Sequence, residues 1–134
     1  MIAIDASALA RFVIKEEGWQ EVAEYLKAGT TSIDLAIKEV ANAVWSRFNR
    51  NQTTLDEAKI MLGVLREIQG KAVKLEEELK YLYDASDISF NRGITIYDSL
   101  YIALARERNL RLLTADKNQA TAADAENVET ILLK

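Results

Sequence analysis

The chain has 134 residues, 49% hydrophobic and 28% charged, with a formal net charge of −4. That length suits one domain with a real core, and the acidity excludes a uniformly basic nucleic-acid binder while leaving room for a local basic rim. There is no cysteine and no histidine, which excludes disulfides, thiolate chemistry and every Ser-His or Cys-His nucleophile pair.

A first strand over 2–4 runs into Asp5-Ala6-Ser7, and Ala8, Leu9, Phe12 and Val13 then predict a short helix. After the charged turn Lys15-Glu16-Glu17-Gly18, a second helix carries Trp19, Val22, Ala23 and Leu26 and stops at Ala28-Gly29. Thr30 to Ile33 reads as a short strand with Asp34 as the next N-cap. Helix three, over 35–49, has Ile37, Val40, Ala41, Val44 and Phe48 on one stripe, with Leu35, Glu39, Asn42 and Ser46 beside it.

Thr54 to Glu57 fits a capping box. It opens a helix that reaches Gly70, with Ala58, Met61, Leu62, Leu65 and Ile68 inside. Residues 71–75 read as a short strand. Glu76 to Asn91 reads as a helix whose acidic start suits the helix dipole, closing at Gly93. Ile94 to Tyr97 leads into Asp98 and a helix to about Asn109 that is apolar nearly all round, the mark of a central element. A strand over 111–114, a helix from Lys117 to Asp124 and a strand from Val128 to Leu133 complete the chain.

Strands alternating with helices predict an α/β fold. The expected architecture is one domain over 1–134, with a mostly parallel sheet of four or five strands and helices on both faces. No apolar run approaches the roughly 18 residues that span a bilayer. The first residues lack the layout of a secretion signal, so a cytoplasmic location is expected.

Without histidine or cysteine, carboxylates are the main groups left for chemistry near neutral pH, and they suit hard cations such as Mg²⁺ and Mn²⁺. Two strands end on an acid: Ile4-Asp5 and Leu113-Thr114-Ala115-Asp116. In an open parallel sheet such ends border the crevice where ligands bind. Asp5, Asp98 and Asp116 each also read as helix caps. Glu39, in the second turn of its helix, has an alternative as an exposed residue paired with Lys38 or Arg47. Several carboxylates gathered in a low-dielectric cleft need a cation or protons to compensate them. Glu76, Glu77 and Glu78 carry no such role and are expected to be solvated.

Four segments taken together carry a resemblance. They are Ile4-Asp5-Ala6-Ser7, Ile37-Lys38-Glu39-Val40-Ala41-Asn42, Tyr97-Asp98-Ser99-Leu100-Tyr101-Ile102-Ala103-Leu104-Ala105, and Leu113-Thr114-Ala115-Asp116. In that order and spacing the chain resembles the PIN domain, and within it the VapC-like toxin ribonucleases of toxin–antitoxin pairs. The resemblance implies a metal-dependent ribonuclease, with Asp5, Glu39, Asp98 and Asp116 as catalytic, metal-binding acids. Ser7, Asn42 and Thr114 match the family's small polar neighbours and would orient ligands or water, or else serve as strand-end and cap hydrogen bonds. It further implies a Mg²⁺ or Mn²⁺ cofactor, an RNA substrate, a cognate antitoxin and a homodimer.

Positive charge for the RNA is expected from a few of Arg11, Lys15, Lys38, Arg47, Arg50, Arg92 and Lys117. Trp45 and Tyr97 are expected in the core rather than stacked on bases. Trp45, Phe48 and Leu62 would serve either a dimer or the core. Three rivals remain. A receiver domain fits poorly, because the first strand carries one acid rather than a pair. A haloacid-dehalogenase-type phosphatase would need an acid where Ser7 stands. A non-catalytic PIN-like binding module would keep the fold alone.

Overall fold

Five short strands form one sheet in the computed structural model, which describes residues 1–134. They are β1 (Ile2–Ile4), β2 (Thr30–Ile33), β3 (Val73–Glu76), β4 (Leu112–Thr114) and β5 (Thr130–Leu132). Every pairing is parallel, in the order β3-β2-β1-β4-β5. The three inner strands are buried residue by residue, which is why their sequences are continuous apolar or small-residue runs rather than alternating ones.

Seven helices connect them: α1 (Ala6–Ile14), α2 (Trp19–Ala28), α3 (Leu35–Asn49), α4 (Leu55–Ile68), α5 (Leu82–Arg92), α6 (Ile96–Arg108) and α7 (Lys117–Ala125). The chain steps from β1 outward to β3, then crosses back over the sheet to β4 and on to β5. Right-handed crossovers therefore put α1 to α4 on one face and α5 to α7 on the other. The reversal falls between β1 and β4, which is where the strand-end crevice of such a sheet opens. The α/β reading, the parallel sheet and the helices on both faces all hold.

Local signals account for most boundaries. Asp5 caps α1 by accepting the Ala8 N–H at 3.0 Å. Thr54 and Glu57 form the expected capping box of α4. Helix α6 buries Ser99 through Ala105 without a break, as its all-round apolar sequence requires. One continuous core of buried residues joins both layers to the sheet. No helix is long and apolar enough to cross a membrane.

Several expectations need correction. The strand expected over 71–75 is β3, shifted to Val73–Glu76, and the last strand is only Thr130–Leu132. The helix expected from Glu76 begins instead as a 3₁₀ turn, Glu78–Tyr81, followed by α5. Glu76 is not simply solvated: it accepts from Arg108 Nε at 2.9 Å and from the Tyr81 hydroxyl at 2.7 Å, with Lys80 at 3.8 Å. Pairing with Ile33 of β2 and the distant Arg108 thus hold Glu76 in the sheet, against its own helical preference. Asp34 does not cap α3; its carboxylate accepts the Glu78 N–H at 3.0 Å.

Trp45 and Tyr97 are not core residues, being 58% and 61% exposed. Leu62, expected inside α4, is exposed as well, and so is Phe48. Of the expected α3 stripe, Val40 and Val44 are buried, and Ile37 and Ala41 pack partly buried against the core.

Candidate active site

The register of β1 against β4, Ile4 opposite Leu113, brings Asp5 alongside Thr114. The Asp5 N–H donates to the Leu113 carbonyl at 3.1 Å. Asp5 is 3% exposed. The Ser7 hydroxyl donates to its Oδ1 at 2.7 Å and the Thr114 hydroxyl to its Oδ2 at 2.5 Å. Ser7 Oγ in turn accepts the Ala115 N–H, and Thr114 Oγ1 accepts the Asp116 N–H. Two hydroxyls therefore stitch the ends of β1 and β4 together around one buried carboxylate. Ser7 and Thr114 do act as strand-end hydrogen bonders, and they do so on the Asp5 side chain itself.

Asp116 caps α7, its Oδ1 accepting the Asn118 N–H at 2.8 Å and the Gln119 N–H at 3.4 Å. Its cap reading is correct and leaves the second carboxylate oxygen outside the cap. For Asp98 the cap reading fails. Thr95 is the N-cap of α6 and accepts the Asp98 N–H at 3.1 Å, which frees the Asp98 carboxylate from that task. Glu39 pairs with neither expected partner: Lys38 lies 4.0 Å from Glu78 and Arg47 lies 3.9 Å from Glu16. Glu39 Oε1 instead accepts the hydroxyl of buried Tyr101 at 2.5 Å.

These four acids sense one another. Burial pushes Asp5 up to about 6, against the pull of the Ser7, Thr114 and Ala8 hydrogen bonds, and the charge of Asp116 raises it further. Asp98 is raised by partial burial and again by Asp116. Glu39 is raised by partial burial and by the charges of Asp98 and Glu78, although the Tyr101 hydroxyl opposes this. Tyr101 is itself driven far up, by burial first and then by Glu39, Asp5 and Asp98. No arginine or lysine forms an ion pair with any of the four acids. The result is an uncompensated negative group drawn from β1, α3, α6 and the end of β4.

The donor set fits a hard divalent cation: all oxygen, no soft ligand, and net charge that a cation would neutralise. As the side chains stand, no three acids are gathered closely enough to cage an ion. Hydrogen bonds to Ser7, Thr114 and Tyr101 instead occupy part of Asp5 and Glu39.

Asn42 stands apart from the Asp5 network. It is exposed one turn beyond Glu39 and lines a groove between α1 and α3 with Glu39, Ser46, Arg47 and Arg50. Of the basic residues singled out, Arg47 and Arg50 reach this groove. Lys117 follows Asp116 directly and is exposed. Arg92 is held by Glu126 and the Ala125 carbonyl beside Asn118. Arg11 donates to the Lys134 carbonyl, and Lys15 lies over the Trp19 ring, so both are engaged elsewhere.

Sequence reasoning missed Tyr101 and Gln119. Tyr101 was legible as an apolar position of α6, but nothing local marks its hydroxyl as the partner of a residue 62 positions earlier. Gln119, buried beside Asp116, donates from Nε2 to the Asp98 carbonyl at 2.9 Å.

Comparisons with known proteins bear on the family and the fold. The family model described as PIN domain matches residues 2–125. The chain is 35% identical over 121 residues to Ribonuclease VapC3 of Pyrobaculum aerophilum, spanning 89% of this chain and 92% of that one. Among solved structures it is similar to PAE2754 from Pyrobaculum aerophilum, with a TM-score of 0.69 and 23% identity over 90% of this chain and 83% of that one. It is also similar to FitAcB from Neisseria gonorrhoeae, with a TM-score of 0.64 and 15% identity over 98% and 96%. The two structural likenesses speak for the fold.

Proposed function

From a chain that belongs to the PIN-domain family, we propose an endoribonuclease, the toxin of a toxin–antitoxin pair, in which residues 1–134 act as one metal-dependent nuclease domain. The single observation that supports this most is geometric: Thr114 joins Asp5 to Asp116 and Gln119 joins Asp116 to Asp98, with no ion pair to any of these acids. A ribonuclease relative that matches nine-tenths of the chain supports the substrate class.

Asp5 and Asp98 would hold the main Mg²⁺ or Mn²⁺ ion, with Asp116 and Glu39 completing its surroundings. When bound, the cation would neutralise the scissile phosphodiester and lend acidity to an attacking water. The chain's own residues supply the rest. Ser7 and Thr114 keep Asp5 ionisable despite its burial. Tyr101 orients Glu39 and limits the rise in its pKa. Arg47 and Arg50 line a groove that begins at Glu39 and would meet flanking phosphates. Tyr97, exposed beside Asp98, would stack on a base.

The partners follow from the same surfaces. An antitoxin segment bearing a basic side chain would compensate the acids. The exposed apolar residues Trp45, Phe48 and Leu62 would meet a second copy of the chain. The site of action would be the cytoplasm.

The test is cleavage of a panel of structured RNAs with Mg²⁺, Mn²⁺ or EDTA, comparing the parent with Asp5→Asn and Asp98→Asn. Cleavage that needs the metal and disappears in both variants is the expected result. RNA bound but never cut would overturn the nuclease and leave a binding module. Cleavage in EDTA, or unimpaired in both variants, would overturn the assigned acids.

A further inference from the structure

We infer that Gln119 is a positioning residue of the acidic site, holding Asp98 and Asp116 at a set separation by bonding to both. This rests on the metal-nuclease reading above. Gln119 lies in the first turn of α7 and is 2% exposed. Its main-chain N–H donates to Asp116 Oδ1 at 3.4 Å and its side-chain Nε2 to the Asp98 carbonyl at 2.9 Å. One residue thereby ties the N-terminal turn of α6 to that of α7.

The bond is not needed to satisfy Asp98. A carbonyl in the first turn of a helix already accepts the N–H four residues on. Nor is the amide a good filler, because Gln119 Oε1 is buried without a partner, an acceptor left unmade at a cost in desolvation. A methionine would have similar length and no orphaned atom. What the amide adds is direction. Turning it over would set oxygen against the Asp98 carbonyl oxygen, so only the donating orientation is allowed.

That direction matters because Asp98 and Asp116 repel each other. At their far ends the same two helices are joined by Arg106 to Glu126 at 2.6 Å. At the acid end, the bond from Gln119 Nε2 does this work. Without it the two carboxylates can drift apart, and a cation held with their help would bind at the expense of restoring their separation.

The test uses Gln119→Met, which keeps the length and removes the donor, and Gln119→Leu, which removes the donor in a shorter apolar side chain. Mn²⁺ affinity is measured by titration calorimetry, thermal unfolding in EDTA, and RNA cleavage as kcat and KM separately. The expected result for Gln119→Met is Mn²⁺ affinity lowered about ten-fold, kcat lowered with it, KM for RNA within about two-fold, and unfolding in EDTA unchanged or later. Gln119→Leu should show the same loss of Mn²⁺ affinity and kcat, and it decides the matter should the methionine variant not fold. Mn²⁺ affinity and kcat equal to the parent's would overturn the role, as would losses that merely track a lower unfolding temperature. A parent that binds no Mn²⁺ would instead remove the metal reading itself.

Discussion

The Thr114 hydroxyl donates to Asp5 Oδ2 at 2.5 Å across 109 positions of sequence. With Ser7 on the other oxygen, it keeps a nearly inaccessible carboxylate within reach of ionisation. Thr114→Val removes one of these donors with little change of shape. The Asp5 pKa should then climb above about 6, and stability near pH 7 should fall by about 1 kcal/mol. Carboxyl NMR titration of Asp5 and denaturant unfolding check the two parts; a lowered pKa would contradict the account.

The metal-free protein should be more stable in mild acid than at neutral pH. Asp5 has a folded-state pKa of about 6 against an ordinary 3.8, so the native form binds more protons between about pH 4 and 6, and stability falls as pH rises through that window. Above it the loss from Asp5 is on the order of 3 kcal/mol. Glu39 and Asp98 are shifted in the same direction, while Glu76, held below its ordinary value by Arg108, opposes them. Asp5→Asn removes the ionisable group, so its unfolding temperature in EDTA at pH 7.5 should rise by up to roughly 10 °C. That gain should shrink below pH 6 and vanish near pH 4, while cleavage is lost. Thermal scans across pH in EDTA decide it; an apo protein that stabilises steadily from pH 4 to 7 would refute it.

Tyr101→Phe leaves Glu39 without the hydroxyl that opposes the rise in its pKa. Cleavage should fall about ten-fold and its acidic limb should move to higher pH. Because Glu39 is half-buried and water can replace the hydroxyl, the stability cost should stay near 1 kcal/mol. A pH–rate profile and an unfolding curve give both numbers. An unmoved acidic limb would mean that Glu39 does not take part.

Trp45 presents its ring to solvent on α3, near Phe48. If a second copy covers this face, Trp45→Asp should convert the species seen by light scattering to a monomer at micromolar concentration. Its unfolding in the monomeric state should change by less than about 0.5 kcal/mol, as at an ordinary surface position. A dimer that survives the substitution would assign the interface to another face.

Most of the element order was readable without coordinates, for physical reasons that act over a few residues. Val40 and Val44 recur at helical spacing, Thr54 and Glu57 satisfy each other across one turn, and Asp5 and Asp116 follow short apolar runs and cap the helices behind them. Where local preference and long-range contact disagreed, local preference lost. Glu76 reads as the start of a helix and ends a strand, because Ile33 pairs with it and Arg108 holds its side chain.

Trp45 and Tyr97 were misread for a related cause. Periodicity identifies which residues are apolar, yet which of them face solvent depends on where neighbouring helices stop.

The parallel α/β order, the capping of α1, α4 and α7, and a set of acids without histidine or cysteine are all written in the order of residues. Those properties follow from backbone hydrogen bonding and hydrophobic spacing between near neighbours. It took the folded arrangement to reveal that Thr95 and not Asp98 caps α6, that Tyr101 serves Glu39, and that Gln119 joins Asp98 to Asp116. Each of these is a directional bond between side chains or helix ends brought together by crossovers of the sheet, and no periodicity in the chain encodes such a meeting.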